Sequence, residues 1–258
     1  IRTIKKNIDH DEYKKILEKK NIKFEQCSFS LQGLIIKDKL RAEELPLYHE
    51  GGFIVQDEAA QFASELVSTR HKKNILDVCA APGGKTCALI DSLPELTSLS
   101  ALDISKNRLD LLKTNLNRLN FSCRIYQFDA TDTGIFTDQS FDSIILDAPC
   151  SSSGVIRRHP DIKLKKNPDN LKLTLKLQIQ LLSNIWRFLS IGGELLYITC
   201  SIFKEENDQM IFKFLDLQKN AKLIKFDKDW GFETEFGRQI LPGTNNSDGF
   251  FYSKLRKT

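Results

Sequence analysis

The sequence has 258 residues, of which 41% are hydrophobic, and this is enough for one large α/β domain with a smaller lobe attached. The formal net charge of +4 is only mildly basic, so the distribution of charge is more informative than its total. No apolar run approaches the roughly 20 residues that a membrane-spanning helix needs, and we expect a soluble protein without membrane partners. The chain begins with Ile1 inside a charged stretch, and we expect the natural protein to extend upstream.

Residues 1–50 are predicted to form a small α+β lobe. Residues 11–20 have a helical pattern, and residues 24–29 and 34–36 contain short apolar runs typical of strands. Together these elements are too short to bury a large core of their own.

The main domain is predicted over residues 51–258. Gly51 and Gly52 mark its start, and residues 56–68 are predicted to form an amphipathic helix that leads into it. Five short apolar runs then end in acidic or turn residues, as buried parallel strands do: residues 74–79, 99–103, 124–129, 143–147 and 194–199.

Helical repeats separate these strands. Leucines recur at helical spacing after Ser105, a candidate amino-terminal cap, and residues 171–189 repeat apolar residues before a glycine pair at 192–193. The alternation predicts a doubly wound, Rossmann-like α/β fold with a mostly parallel sheet. Residues 221–226 and 249–255 are expected to close it as an antiparallel pair.

The six cysteines form no C-x-x-C pair and lie far from the four histidines, so we expect no metal site. The pattern is typical of reduced thiols in a cytoplasmic protein. Cys27, Cys87 and Cys123 are interpreted as buried, unreactive side chains. The other three cysteines have loop-forming neighbours and are not assigned to packing.

The loop after the first strand of the main domain has the composition of a ligand-binding loop. It runs from Asp77 to Thr86, where an open α/β sheet binds ligands, and its small residues allow a bound molecule close to the backbone. A P-loop requires glycine where Cys79 stands, and a dinucleotide fingerprint requires a third glycine besides Gly83 and Gly84. An acid at the entry and no provision for a pyrophosphate indicate a cofactor with an amino acid end and a sulfonium, namely S-adenosylmethionine.

Acidic residues end the other predicted strands at the same edge of the sheet. Asp103 is expected to accept hydrogen bonds from two ribose hydroxyls, and Asp129 from the adenine amino group. A single aspartate at a strand end is commonly a cap or turn residue, and this interpretation stays open for each one taken alone. The row of Asp77, Asp103, Asp129 and Asp147 together fits the ribose, amine and cation of the cofactor.

Two cysteines follow the ends of the fourth and fifth strands, Cys150 in Asp-Ala-Pro-Cys and Cys200 in Tyr-Ile-Thr-Cys. Carbon 5 of a cytosine is a poor nucleophile until a thiolate adds to carbon 6, so cysteines here favour a pyrimidine carbon as methyl acceptor. Asp147 is expected to hydrogen-bond the cytosine edge. The residues alone do not rank the two cysteines.

A basic segment follows the first of these cysteines. It holds five cations against one acid: Arg157, Arg158, Lys163, Lys165 and Lys166. A solvated loop is the ordinary interpretation of such a run, but its position beside the cysteine motif favours contact with RNA phosphates.

Five segments together resemble the NOL1/NOP2/Sun family of RNA cytosine-5 methyltransferases: LDVCAAPGGKT, ALDISKNRL, ILDAPCSSSGVIRRHPDIK, YITCSIFKEEN and LPGTNNSDGFFY. The resemblance runs from about Gly51 to Lys254. It implies a class I methyltransferase domain that uses S-adenosylmethionine without a metal. The residues implied to contact the cofactor are Cys79, Ala80, Ala81, Pro82, Gly83, Gly84, Lys85, Asp103, Arg108, Asp129 and Asp147.

The resemblance also implies catalytic roles. Cys200, which follows threonine, is implied to be the nucleophile, and Cys150 to assist release of the product. Asp147, expected at the cytosine edge, is the third predicted catalytic residue. The lobe of residues 1–50 has a weaker resemblance to the family's RNA-binding lobe. Relatives of this subtype carry a further helical domain, so we expect target recognition by this chain to be incomplete.

Small-subunit ribosomal RNA is the expected partner, with transfer RNA as the alternative. A non-enzymatic RNA-binding factor is disfavoured, because both cysteines and the row of aspartates are present. A dinucleotide oxidoreductase is disfavoured by the missing third glycine.

Overall fold

The structure, a computed structural model, describes residues 1–67, 74–93, 98–132, 134, 136, 140–164 and 167–258. The amino-terminal elements are β1 (Arg2–Thr3), α1 (His10–Lys19), β2 (Phe24–Gln26), β3 (Leu34–Ile36) and β4 (Phe53–Ile54). The next elements are α2 (Glu58–Gln61), α3 (Ala63–Leu66), β5 (Asn74–Val78), α4 (Gly84–Ser92), β6 (Ser98–Asp103), α5 (Lys106–Arg118) and β7 (Arg124–Gln127). The last are β8 (Phe141–Asp147), α6 (Pro168–Arg187), β9 (Leu189–Thr199), α7 (Asp208–Leu217), β10 (Ala221–Ile224), β11 (Phe232–Glu233), β12 (Arg238–Ile240) and β13 (Phe250–Lys257).

A small lobe forms around α1. Asp9 caps this helix by accepting hydrogen bonds from backbone amides of the first turn. Tyr13 and Leu17 are fully buried in one cluster with side chains of β3 and β4. Strand β2 pairs with β3, and β1 pairs with β4, both antiparallel. Strand β4 lies beyond the predicted boundary, and the division of the chain at residue 51 stays a prediction.

In the described part of the chain, nine strands form one sheet in the order β11-β12-β13-β9-β8-β5-β6-β7, with β10 also paired to β13. The pairs among β5, β6, β7, β8 and β9 are parallel. The remaining pairs are antiparallel: β13 with β9, β10 and β12, and β12 with β11. The chain builds outward from β5 through β6 to β7 and then returns to the other side of β5 with β8. The loops after β5 and β8 therefore diverge at a switch point, where such sheets bind ligands. The predicted doubly wound fold and its antiparallel closing pair are confirmed.

Helices cover both faces of the sheet. Ile144 and Leu146 of β8 pack into one buried cluster with α6 and α7, and Ile145 between them packs into another with α2 and α3. Burial on both faces is why these strands are almost continuously apolar in sequence. Within the described residues, no helix has the length and apolar character to cross a membrane.

The helix predicted over residues 56–68 is two short helices in the structure, α2 and α3, and Ser68 lies outside the described residues. In a continuous helix the carbonyl of Ala59 would accept a hydrogen bond from the amide of Ala63. Here that carbonyl accepts a hydrogen bond from the hydroxyl of Tyr252 in β13. A contact from the far end of the chain therefore replaces the helical bond at the break.

The strand predicted over residues 194–199 begins earlier, because β9 starts at Leu189. Leu189 was assigned to the helical repeat and belongs instead to the strand. The register between β8 and β9 shifts between Phe141 and Ser143 of β8. Gly192 has φ +79° in this stretch, so the glycine pair fits a strand irregularity and not a helix end.

Two loops at the carboxyl edge of the sheet meet at glycines. The amide of Gly154 donates to the carbonyl of Cys200 at 2.9 Å, and the amide of Gly249 donates to the carbonyl of Gly154 at 2.9 Å. A Cβ atom on Gly154 would lie 2.1 Å from the carbonyl oxygen of Gly249. No side chain fits at this position without movement of the backbone.

We expect Gly154→Ala to lower the free energy of unfolding by about 1 to 3 kcal/mol, because the added methyl group overpacks a backbone contact. Gly84→Ala is the matched control, since a Cβ there would meet nothing closer than 3.7 Å. Urea unfolding of both variants measures the difference. Equal stability of the two variants would contradict the described approach of the loops.

Candidate active site

The loop after β5 turns sharply into α4. Cys79 has φ +60° and Gly83 has φ +101°, both in the left-handed region. Asp77 is fully buried, and its Oδ2 accepts a hydrogen bond from Thr86 Oγ1 at 2.6 Å, which ties the strand to the first turn of α4. Burial raises the pKa of Asp77 to about 7. This carboxylate therefore braces the loop from the protein interior.

Asp103 ends β6, as the sequence predicted, but its carboxylate is covered. Its two oxygens accept hydrogen bonds from the amides of Ala81 at 3.2 Å and Ser105 at 3.0 Å. Arg108 Nη1 lies 3.4 Å from Oδ2, and its Nη2 donates to the carbonyl of Ala81. A ligand hydroxyl at Asp103 would have to share the carboxylate with Arg108, whose side chain is half exposed.

Asp129 does not end a strand, because β7 stops at Gln127. The side chain is exposed and accepts hydrogen bonds from the amide and the hydroxyl of Thr131, at 2.8 and 2.7 Å. These are the contacts of a local turn, the interpretation that the sequence left open. The role of Asp129 toward a cofactor stays a prediction.

Lys85 and Asp147 form an ion pair across the switch point. Lys85 Nζ lies 2.7 Å from Asp147 Oδ2 and 5.2 Å from the centre of the Phe250 ring. Burial alone would lower the pKa of Lys85, but the carboxylate of Asp147 outweighs burial and raises it. The pair joins the first turn of α4 to the end of β8, and the sequence did not predict it.

The two cysteines after β8 and β9 come together beside this pair. Cys150 Sγ and Cys200 Sγ are 3.4 Å apart, and Ser152 Oγ lies 3.7 Å from Cys200 Sγ. Ser152 has φ +56°, so a tight turn in the loop brings its hydroxyl back to the cysteine pair. The structure thus brings together the three residues predicted to be catalytic: Cys150, Cys200 and Asp147.

The surroundings make the two thiols unequal. The hydrogen bond with Cys150 is the largest cause of a lowered pKa of Cys200. Burial and the charge of Asp147 oppose it, and Ser152 and Lys85 lower this pKa further. The same hydrogen bond raises the pKa of Cys150 well above its ordinary value, and burial and the nearby Glu206 add to the effect. Cys200 is therefore the sulfur that ionises first, and once it is a thiolate Cys150 is the donor in the pair; between two thiols either sulfur can donate.

The four remaining cysteines are protonated thiols, because no comparable hydrogen bond from a described residue lowers their pKa values. Burial raises the pKa values of Cys27, Cys87 and Cys123 to about 12 in each case. Burial raises the pKa of Cys79 still more, so this residue contributes its left-handed backbone to the loop and no thiolate. All six cysteines are free of disulfide bonds.

The basic segment is partly neutralised inside the protein. Nε and Nη2 of Arg158 donate to the carboxylate of Asp248, which is fully buried. Arg157 donates to the carbonyl of Asn246 at 2.5 Å. Lys163 is exposed, and Lys165 and Lys166 lie outside the described residues, so contact of the segment with phosphates stays a prediction.

Sequence reasoning assigned no role to two buried acids of the site, Glu206 and Asp248. Glu206 contacts the serines that follow both cysteines, and Asp248 holds Arg158. Both acids lie inside the quoted segments YITCSIFKEEN and LPGTNNSDGFFY. Finding these two residues would have required predicting which acidic side chains are buried, and the sequence carries no local signal for that.

The parallel sheet with an antiparallel β13 next to β9, together with the cysteines at its carboxyl edge, defines a Rossmann-like methyltransferase domain. A sequence model of the family described as "16S rRNA methyltransferase RsmB/F" matches residues 65–256. The chain belongs to this family.

Individual relatives agree with this assignment. Ribosomal RNA small subunit methyltransferase B of Pseudomonas putida is 37% identical over 258 residues, covering 100% of this chain and 59% of the relative. The protein of the same name from Shewanella oneidensis is 41% identical over 249 residues, covering 96% and 57%. A crystal structure of a methyltransferase homolog protein from Pyrococcus horikoshii has a TM-score of 0.85 at 26% identity and covers 100% of this chain and 85% of that one. The chain thus spans less than two thirds of the length of these curated relatives.

We expect an alkylating reagent to modify Cys200 at lower pH than Cys150, because a lowered pKa gives thiolate at lower pH and a raised pKa delays it. Initial rates of iodoacetamide labelling, resolved by peptide mass spectrometry across neutral and alkaline pH, measure this order. Cys27 is the control and should react slowly throughout. Earlier labelling of Cys150 would reverse the described proton arrangement.

Proposed function

We propose that the chain transfers a methyl group from S-adenosylmethionine to carbon 5 of a cytosine in RNA, through a covalent bond between Cys200 and the base. The observation that carries the proposal is the pair of sulfur atoms 3.4 Å apart beside the ion pair of Lys85 and Asp147. A nitrogen or oxygen acceptor has no use for a thiolate, whereas a pyrimidine carbon becomes nucleophilic only after addition at carbon 6.

The residues around the switch point fit S-adenosylmethionine, which when bound supplies an electrophilic methyl group on a sulfonium. The loop of residues 79–85 would hold its amino acid end, and Asp103 its ribose. Gln56 supports this fit: its amide lies next to Gly84, and its buried Oε1 has no hydrogen-bond partner among the described residues. A donor such as an amino group would satisfy that oxygen. The proposed cofactor contacts also include Arg108 and Asp129.

Cys200 begins the reaction as a thiolate. Its sulfur adds to carbon 6 of the cytosine, and the electron pair of the ring double bond moves toward carbon 5 and the ring nitrogen and oxygen atoms. The base is thereby activated at carbon 5 for methylation. The Cys200 thiol donates to Ser152 Oγ in the structure; after ionisation the hydroxyl of Ser152 and the thiol of Cys150 can donate to the thiolate, and these bonds must weaken as the sulfur bonds to carbon.

Asp147 and Lys85 orient and stabilise the activated base. The carboxylate of Asp147 accepts a hydrogen bond from the cytosine amino group, which selects cytosine over uracil. Lys85 is held at Asp147 and supplies positive charge near the ring as it gains electron density. Their mutual contact means that neither charge is buried alone.

Cys150 acts at the end of the reaction. Loss of the carbon 5 proton restores the ring double bond, and the electron pair of the carbon–sulfur bond returns to Cys200 as a thiolate. The thiol of Cys150 hydrogen-bonds this departing sulfur and lowers the energy of its release.

The RNA we propose is small-subunit ribosomal RNA in the bacterial cytoplasm, because the relatives from P. putida and S. oneidensis are named for it. Residues 1–50 would bind RNA beside the site. Support comes from a cavity of about 480 Å³ that is lined both by this lobe and by Arg157. Lys163, Lys165 and Lys166 are the phosphate contacts that we propose from the basic segment, together with the partly neutralised Arg157 and Arg158.

We expect Cys200→Ala to abolish both methyl transfer and covalent attachment to RNA, because attack must come first. Cys150→Ala is expected to methylate once and remain attached, which gives a slow-migrating protein–RNA band on a denaturing gel. The double variant should lack the band, and Cys123→Ala should behave like the wild type. Assays use small-subunit ribosomal RNA with labelled S-adenosylmethionine. A band in Cys200→Ala and none in Cys150→Ala would reverse the two roles, and label in transfer RNA alone would change the proposed substrate.

We expect Asp103→Ala to weaken binding of S-adenosylmethionine by about 1.5 to 3 kcal/mol, the range for hydrogen bonds to a charged group. Calorimetry measures the affinity directly. Asp110→Ala is the control, because Asp110 is an exposed acid on α5 that pairs with Lys113. Unchanged affinity of a folded Asp103 variant would remove Asp103 from the ribose contact.

A further inference from the structure

Glu206 is fully buried between the two loops that carry the cysteines. Its Oε1 accepts a hydrogen bond from the amide of Ser151 at 2.7 Å, and its Oε2 accepts from the hydroxyls of Ser151 and Ser201. Ser151 directly follows Cys150, and Ser201 directly follows Cys200. One carboxylate therefore holds both loops at the residues next to the sulfur atoms.

The rest of the protein fixes Glu206 itself. Gln178 of α6 is fully buried, and its Nε2 donates to Glu206 Oε1 at 3.3 Å. Tyr197 of β9 donates its hydroxyl to the carbonyl of Glu206 at 2.8 Å. The carboxylate is thus anchored to a helix and a central strand, and the cysteine loops are positioned against a rigid reference.

The contacts of Glu206 are those of a charged carboxylate. All its side-chain partners are amide or hydroxyl donors, which suits an ionised group that can only accept. Among the described residues, no lysine or arginine lies within the 4.0 Å of an ion pair. In the described part of the chain, the carboxylate of Glu206 therefore acts on Cys150 without a paired cation, whereas Cys200 has both the anion Asp147 and the cation Lys85 nearby.

We propose that Glu206 is a positioning residue that assigns the two sulfur atoms their roles: it holds Cys150 against Cys200 and disfavours negative charge on Cys150. The proton of the pair then stays on Cys150, and Cys200 carries the thiolate. This inference rests on the proposed function, in which Cys200 is the nucleophile. The side chain of Glu206 is fully buried, so it acts through the two sulfurs.

The other groups around the sulfurs agree with this division. Cys200 interacts with Lys85 and Arg158, and also with Asp147, whose charge is balanced by Lys85 at 2.7 Å; Tyr252 adds a neutral hydroxyl. Cys150 interacts with Glu206 and the neutral Tyr197. In this set, cations are found only around Cys200, where they oppose the stronger effect of Asp147, and Glu206 is the anion that acts on Cys150.

Glu206→Gln tests the proposal, because glutamine keeps the shape of the side chain and removes its charge. The serine hydroxyls can rotate to accept from the new amide. Initial alkylation rates of Cys150 and Cys200 are measured against pH by mass spectrometry on the free protein, with thermal unfolding as the test of folding. We expect the ratio of Cys200 to Cys150 labelling at neutral pH to fall at least about tenfold, the effect of one pKa unit. Glu205→Gln, at an exposed neighbouring acid, should keep the wild-type ratio.

A second variant covers the case in which Glu206→Gln does not fold. Ser151→Ala removes one hydroxyl from the carboxylate and leaves the backbone hydrogen bond in place. We expect the labelling ratio to move in the same direction by a smaller factor. A wild-type ratio in a folded Glu206→Gln chain, or in Ser151→Ala if the first variant is unfolded, would overturn the role of Glu206.

The proposed function has a separate readout. A wild-type chain that transferred no methyl group to any RNA would overturn the proposed function and leave the labelling ratio as measured. A chain that methylates RNA while Glu206→Gln labels like Glu205→Gln would overturn only the role of Glu206.

Discussion

The parallel pairing of β8 with β9 is the constraint on which the site depends. Asp147 at the end of β8 is in register with Ile198 near the end of β9, so the chain leaves both strands at the same height. Cys150 and Cys200 follow a few residues later, and the two sulfur atoms meet at 3.4 Å. Because both faces of these strands are buried, the pairing cannot slip without exposing core residues.

Two chemically identical side chains acquire different properties from elements that are distant in sequence. The hydrogen bond between the two sulfurs is the largest influence on both pKa values, lowering that of Cys200 and raising that of Cys150. Lys85 of α4 adds to the first effect against the opposing charge of Asp147, and Glu206, which follows β9, adds to the second. Acid–base asymmetry is therefore a property of the assembled sheet edge and not of either motif.

The five parallel strands, apart from some of their bounds, α5 with its cap at Ser105, and the edge where the cysteines meet could be predicted from local patterns of apolar and turn residues. Three features could not. The break between α2 and α3 depends on the hydroxyl of Tyr252, and the ion pair of Lys85 and Asp147 joins residues 62 positions apart. The cover of Arg108 over Asp103 depends on side-chain packing. Each of these is a tertiary contact, which local propensity does not encode.

The segment before β13 also determines the contacts of the basic segment. Sequence reasoning counted Arg158 as a phosphate ligand because it could not know that Asp248 is buried nearby. A buried carboxylate requires a partner, and Arg158 supplies it by donating from Nε and Nη2. The next two residues also contact the site: Gly249 donates to Gly154 in the Cys150 loop, and the ring of Phe250 lies next to Lys85. The antiparallel strand added to the parallel sheet therefore does more than close its edge: β13 and the residues that lead into it also contact the Cys150 loop and Lys85.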